Sequence, residues 1–310
     1  MEFEYIEHRK GLPLKLFLVS IGHRSHHFHS DLEIIHVFQG NIQVHIGAKI
    51  YALKKGDFLI INPYEIHSFV SNIENQKEQN ILLILQINTN SIAIQNNILS
   101  KIKFTDPFLS DSLDKFRNLL YEMILESTID SIHIDFLLRG YMFEFIAMLL
   151  KFARYEEIDQ ILLSSKIEAN ERIHFVINYV EKNFKSKILL EDIAAQLHIS
   201  KYHLSHFIRQ SLGINFQTYL NDVRLLHAIY LIFNTDKKIL DIAYESGFSD
   251  HKYLNQLIKN LYGCTASNMR KFSDKLNISV PDASIGSIHL AFNVQEVLNN
   301  ISLKQQTSGR

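Results

Sequence analysis

Apolar residues between Leu14 and about Asn90 fall in short runs such as LEIIHVFQG, IQVHIGAKIYAL and GDFLIINPYEIHSFV, punctuated by Gly40, Gly47, Gly56 and Pro63. Short β-prone runs broken by turn formers predict an all-β unit of sandwich or barrel type. From Asp106 the period lengthens to that of a helix. DPFLSDSLDKFRNLLYEMILES and SIHIDFLLRGYMFEFIAMLLKFARY predict two long helices joined by a short polar link, a pair suited to an antiparallel hairpin. The polar stretch LLSSKIEANER follows and places a domain boundary at about Ser164 to Asn170. Glu171 to Phe272 reads as helical, and the tail carries one amphipathic piece, Val294 to Leu303. The expected chain is therefore α+β: a barrel in 1–105, a helical linker or dimerisation segment in 106–164, an all-helical domain in 165–275, and a tail, 276–310, with no assigned role.

The helical domain repeats itself. DIAAQLHIS at Asp192–Ser200 returns as DIAYESGFS at Asp241–Ser249, an offset of 49, and the similarity continues at offset 50 through Leu204/Leu254, Ile208/Ile258, Arg209/Lys259 and Gly213/Gly263. Each copy predicts a short helix with buried Ile and Ala, a tight turn, and a second helix that a Ser can cap and a Gly can end. That is a helix-turn-helix. In the first copy Leu204, Phe207 and Ile208 form the inward stripe, leaving Tyr202, Ser205, His206 and Arg209 outward. In the second, Leu254, Leu257, Ile258 and Leu261 face inward, with His251, Lys252, Asn255, Gln256 and Lys259 outward. Asn and Gln match adenine edges in a major groove, His and Lys match guanine acceptors, and Arg209 and Lys259 suit phosphates. Asn215 to Asn234 predicts a connecting helix of roughly 28 Å, comparable to the groove repeat of about 34 Å, so the two reading helices can enter successive grooves.

Charge agrees in sign with this reading. Residues 1–164 hold 15 Lys and Arg against 20 Asp and Glu, whereas 165–275 hold 15 against 11, so the helical domain is the basic one. Cys264 is the single cysteine, which excludes an internal disulfide and fits a reducing cytoplasm. The first residues lack the basic and apolar segments of a secretion signal, and Arg139 and Glu144 interrupt the longest apolar run, FLLRGYMFEFIAMLLKF. That run is expected to face a core or a partner, not a membrane. Phosphate-cradling glycine loops and a nucleophilic triad are absent from the pattern, so no catalytic residues and no enzyme activity are expected.

About 100 residues, from Asn178 to Phe272, resemble the AraC/XylS family of bacterial transcription regulators. The resemblance is carried by IAAQLHISKYHLSHFIRQSLGINFQTYLNDVRLLHA and ILDIAYESGFSDHKYLNQLIKNLYGCTASNMRKF, with Gly213, Tyr219, Leu220, Arg224, Ile242, Ala243, Gly247, Phe248, Gly263 and Arg270 at motif positions. The chain departs from the family at Thr265-Ala266, where Ser-Pro is usual, and at Leu254 and Ile258, where Phe is common. The resemblance implies DNA contacts from Tyr202, Ser205 and His206, and from His251, Lys252, Asn255 and Gln256.

HHFHSDLEIIHVFQG holds His27, His29, Glu33 and Gly40 in the spacing HxHx3Ex6G, and GDFLIINPYEIH supplies His67, one residue short of the usual second-motif spacing. This is similar to the two cupin motifs, which implies that His27, His29, Glu33 and His67 converge inside the barrel. Three roles stay open for such a set: a bound Fe, Mn, Zn or Ni ion, an effector pocket without metal, and barrel packing. The set is assigned to an effector pocket, with no metal and no cofactor. His23, His26, His36 and His45 are expected at ordinary surface or strand positions.

Together these readings predict a cytoplasmic, sequence-specific regulator, more an activator than a repressor. Its partners would be double-stranded DNA, RNA polymerase, a small effector such as a carbohydrate, and a second copy bound through the apolar excess of residues 113–152. The competing reading is a cupin metalloenzyme tethered to DNA.

Overall fold

The computed structural model describes residues 4–7, 12–71, 79–89, 98–99, 101–129, 131–158, 160–276, 278–279, 287–290 and 293–308. Two antiparallel sheets face each other in the N-terminal part. One contains β1 (Glu4–Glu7), β2 (Leu14–Val19), β9 (Ile81–Ile87), β4 (Leu32–Gln39) and β7 (Phe58–Ile61), in that order. The other contains β3 (Ile21–His27), β8 (His67–Val70), β5 (Asn41–Ile46) and β6 (Lys49–Lys54), extended beyond β3 by two strands described below. Ile21, Val44 and Phe69 from one sheet and Ile35, Val37, Leu59 and Ile84 from the other fill the space between them.

The five-stranded sheet is covered on both faces, which explains why β9, ILLILQI, is apolar along almost its whole length and does not alternate. Its outer face packs on α1 (Leu113–Ser127) and α2 (Ile132–Phe152), the expected hairpin, through Phe116, Leu120, Met142 and Phe145. A short ladder of β10 (Ile102–Phe104) and β11 (Tyr155–Glu157), which no sequence signal announced, closes the hairpin's base.

The expected boundary at about Ser164 to Asn170 falls within a helix. Residues 164–170 lie inside α3 (Gln160–Asn183), so the passage between the two parts is a continuous helix. Lys, Glu, Ala and Arg are good helix formers, which suits a helical boundary.

The helical domain holds α3, α4 (Leu190–Gln196), α5 (Lys201–Leu212), α6 (Phe216–Asn234), α7 (Ile239–Glu245), α8 (His251–Tyr262) and α9 (Ala266–Leu276). It has two cores. Phe216, Tyr219 and Leu220 at the start of α6 join Ile193, Leu204 and Ile208, whereas Leu225, Ile229 and Ile232 further along join Ile242, Leu254 and Ile258. One helix therefore serves two helix-turn-helix units.

The tail also departs from expectation. β12 (Ile278–Ser279) pairs with β13 (Ser287–Leu290), and β13 pairs with β3, so the six-stranded sheet runs β12-β13-β3-β8-β5-β6. The expected amphipathic segment forms α10 (Val294–Ser308), whose Val294, Val297, Leu298 and Ile301 are buried in the core shared with α1 and α2.

Candidate nucleic-acid interface and effector site

The two helix-turn-helix units are built alike down to their caps. Ser200 Oγ accepts the His203 N–H at the start of α5, as expected from sequence. In the second unit Asp250 Oδ1 accepts the Lys252 N–H at 2.8 Å, so the cap moves from Ser249 to the inserted residue. The turns need one left-handed residue each, His198 in the first unit and Gly247 in the second. A Cβ on Gly247 would stand 2.4 Å from the Phe184 carbonyl oxygen, so only glycine fits there. Gly213 and Gly263 end the reading helices in the left-handed conformation. Arg224 donates to the Phe184 and Ser186 carbonyls, and Arg270 donates to the Ile232 and Lys237 carbonyls. Each arginine thus closes one unit by tying its last helix to the end of its first.

On α5, Leu204 and Ile208 are buried and Phe207 packs beside them, while Tyr202, at 82% exposure, and Ser205, His206 and Arg209 face outward together. On α8, Lys252, Gln256 and Lys259 are exposed and His251 is half-buried. Two expectations need correction. Leu261 is exposed, and Tyr262 takes the inward position. Asn255 is committed internally: its Oδ1 accepts the Ala266 N–H at 3.1 Å and its Nδ2 donates to the His251 carbonyl. It caps α9, in the place where Thr265-Ala266 departs from the usual sequence, and is not free to read a base. Tyr253, not singled out from sequence, is exposed on the same helix and accepts a hydrogen bond from Asn221.

In the barrel, His27, His29, Glu33 and His67 do converge. His27 and His67 stand opposite each other across the β3–β8 ladder, with ring centroids 4.1 Å apart, and a ligand nitrogen from each of His27, His29 and His67 lies within 4.8 Å of the others. The shorter spacing of the second motif does not remove His67 from the cluster. Each of the three rings donates from Nδ1 to a main-chain carbonyl: His27 to Ser25, His29 to Asp31, His67 to Glu65. That fixes a proton on Nδ1 and turns every Nε2 toward the centre. Glu33 Oε2 accepts from His29 Nε2 at 2.9 Å and from Gln86 at 2.7 Å. Glu33 Oε1, His27 Nε2 and His67 Nε2 are buried without a hydrogen-bond partner, the Glu33–His67 pair being 3.6 Å apart.

The electrostatics follow from this arrangement. Burial pushes the His67 ring down to about 4 and holds His27 well below its ordinary range. Burial would raise Glu33, but the His29 hydrogen bond and charge outweigh it and hold the carboxyl well below the usual carboxylate range. His29 moves the opposite way to the other two rings, because the Glu33 contact overcomes its burial. The cluster therefore presents two neutral imidazoles, a third that shares its Nε2 proton with Glu33, and one carboxylate, a donor set that suits a divalent transition ion.

The remaining histidines named above lie in strands, as expected: His23 and His26 in β3, His36 in β4 and His45 in β5. His36 is buried, stacked on Phe58 and bonded to Tyr121, and His23 and His26 are buried as well. His26 meets Tyr219 of α6 edge-on, at 6.4 Å between ring centroids.

Two family models match this chain in the order of its parts: an AraC-like ligand binding domain over residues 20–86 and a helix-turn-helix domain over residues 193–271. Both parts of the chain are thus similar to those of AraC-type regulators. The relatives the chain matches are named as HTH-type transcriptional activators and regulators, which favours the regulator reading over the metalloenzyme one. The chain is 30% identical to the HTH-type transcriptional activator RhaS of Klebsiella pneumoniae over 105 residues, 34% of this chain and 38% of that protein. It is 25% identical to an HTH-type transcriptional regulator of Staphylococcus aureus over 71% of this chain but 29% of that protein. The match thus spans well under half the length of these two relatives. RhaS of Mannheimia succiniciproducens is 25% identical over 79% of this chain and 88% of that protein. Among the described residues, no helix is long and apolar enough to cross a membrane.

Proposed function

We propose that the protein is a sequence-specific transcription activator whose two reading helices enter successive major grooves and whose barrel senses a small effector at the His27, His29, Glu33 and His67 cluster. The observation that carries the DNA half is the paired construction. Two capped helices, α5 and α8, share the support of α6 and expose Tyr202, Ser205, His206 and Arg209 on one and Lys252, Gln256 and Lys259 on the other, with His251 half-buried at the start of α8. The relatives named as activators favour activation, exerted through RNA polymerase, over repression. The protein would act in the cytoplasm, where its DNA is.

The effector half rests on the three buried polar atoms without partners. They favour a divalent transition ion held by His27, His29, His67 and Glu33, with the proton between His29 and Glu33 displaced on binding. Such an ion would supply a Lewis-acidic anchor for the hydroxyl or carboxylate oxygens of an effector, a carbohydrate among them. The chain's own contribution is to hold three rings in fixed orientation and to bury the carboxylate. Effector binding would shift the balance between domain arrangements that differ in DNA affinity.

A gel-shift titration against the gene's own upstream region tests the reading. Binding should weaken steeply as salt rises, with log affinity falling linearly against log salt at a slope near −0.9 for each phosphate neutralised. Affinity that is flat between about 50 and 200 mM salt, or no retarded band on any upstream fragment, contradicts it.

A further inference from the structure

The tail after α9 is absorbed by neither half of that reading. It leaves the second helix-turn-helix unit at Leu276 and, two residues on, enters the barrel's six-stranded sheet as β12 and β13. The strand it joins is β3, with Ser287 opposite Arg24, Ile288 opposite His23 and His289 opposite Ile21, across a register shift between Ile288 and His289. On its other edge β3 pairs with β8, again irregularly, between Arg24 and His27. Bulges on both ladders of one strand let it bend where a regular strand would not.

The same strand touches the first unit. His27 points into the cluster, and its two neighbours point out of it. His26 meets Tyr219 of α6, and Phe28 meets His174 of α3 edge-on at 5.4 Å between ring centroids. Ile66, next to His67, is buried in the core of the first unit with Ile173, Val176 and Leu220. Close by, the β5–β6 turn abuts the end of α5, where a Cβ on Gly213 would stand 2.3 Å from the Gly47 carbonyl oxygen. Both ends of the DNA-binding domain therefore come back to the strand that carries His27.

We propose that β12, β13 and α10 form an intramolecular strap that holds the second helix-turn-helix unit to β3, so that the barrel's histidine cluster is mechanically linked to both reading helices. The anchor is α10, whose Val294, Val297, Leu298 and Ile301 are buried against α1. The tether is β12–β13. A change at the cluster would move β3 against α6 on one side and pull the strap on the other. The regulatory part of this proposal rests on the effector reading above, but the mechanical part does not.

The test leaves the barrel intact. A protease-recognition sequence is inserted between Ser279 and Ser287, and spin labels are placed in the full chain at Lys55→Cys and Asn260→Cys with Cys264→Ser. Before cleavage the label-to-label distance distribution should be narrow. After cleavage β13 and α10 remain in place while the covalent tether is cut, and the distribution should broaden at least twofold. A distribution unchanged by cleavage overturns the proposal. A second variant, Ile301→Asp, releases the anchor without cutting the chain and should broaden the distribution alike. If it unfolds the barrel, seen as lost protection of β4 and β9 amides, the cleavage result decides alone. No DNA or effector enters the measurement, so a failed gel shift with a positive strap result, or the reverse, separates the two readings.

Discussion

His27, His29 and His67 share one device: a main-chain carbonyl two residues away holds the Nδ1 proton and aims Nε2 at a common centre. The similarity of HxHx3E to a cupin motif made three of the four cluster residues legible in the sequence, although His27 ends β3, His29 follows it and Glu33 lies in β4. His67 was less so, since its place depends on a cross-strand pairing with His27, 40 residues away. Replacing Glu33 with Gln or His67 with Ala should weaken Co2+ or Zn2+ binding by at least the roughly 10- to 100-fold lost when a ligand's supporting hydrogen bond is removed. Isothermal titration checks this, and binding unaltered in both variants would remove the metal reading. Asp222, on α6, offers a second residue-scale test. Burial lifts its carboxyl from 3.8 to about 7. A raised carboxyl favours the folded state fully below the unfolded value, and that advantage is lost as pH rises through about 7. Asp222→Asn should therefore leave stability nearly unchanged at pH 4 and raise it at pH 8 by up to about 4 kcal/mol, since each tenfold change in proton affinity is worth about 1.36 kcal/mol. Denaturant titrations at the two pH values check it, and an equal gap at both contradicts it.

At the scale of elements, periodicity identified α1, α2, α5, α6 and α8, because each packs one face on a core and leaves the other wet. It missed α3's first turns, where the chain is polar, and the strands of the tail. β13 is four residues long and its partner β3 lies about 260 positions away, so no local pattern could announce it. The side-chain roles of Asn255 and Asp250 were likewise hidden, because they follow from one inserted residue that shifts the second cap. Helix α2 bears on assembly. Ile132, Phe136 and Phe143, at 80%, 74% and 46% exposure, line one face with Gly140 between them, while Ile134, Leu138 and Phe145 fill the core. An apolar stripe left outside a completed core suits a second copy of the chain. Sedimentation at micromolar concentration should give a dimer that Phe136→Asp converts to monomer, and a monomeric unaltered protein would contradict that role.

On the scale of the whole molecule, a β-rich part and a doubled helix-turn-helix part were readable from the chain, whereas the way they are joined was not. The boundary is a helix, the first unit packs on the barrel through Phe28 and Ile66, and the tail returns to β3. These are long-range contacts between faces that each look complete in isolation. The proposed regulation turns on one chain reading two successive grooves with two different helices. High-resolution footprinting of the gene's own upstream region, comparing the unaltered protein with His206→Ala and Gln256→Ala, tests that most directly. Two protected patches about 10.5 base pairs apart are predicted, one weakened by about 1 to 3 kcal/mol in His206→Ala and the other by a similar amount in Gln256→Ala. A single patch, or two patches that both variants weaken equally, would contradict it.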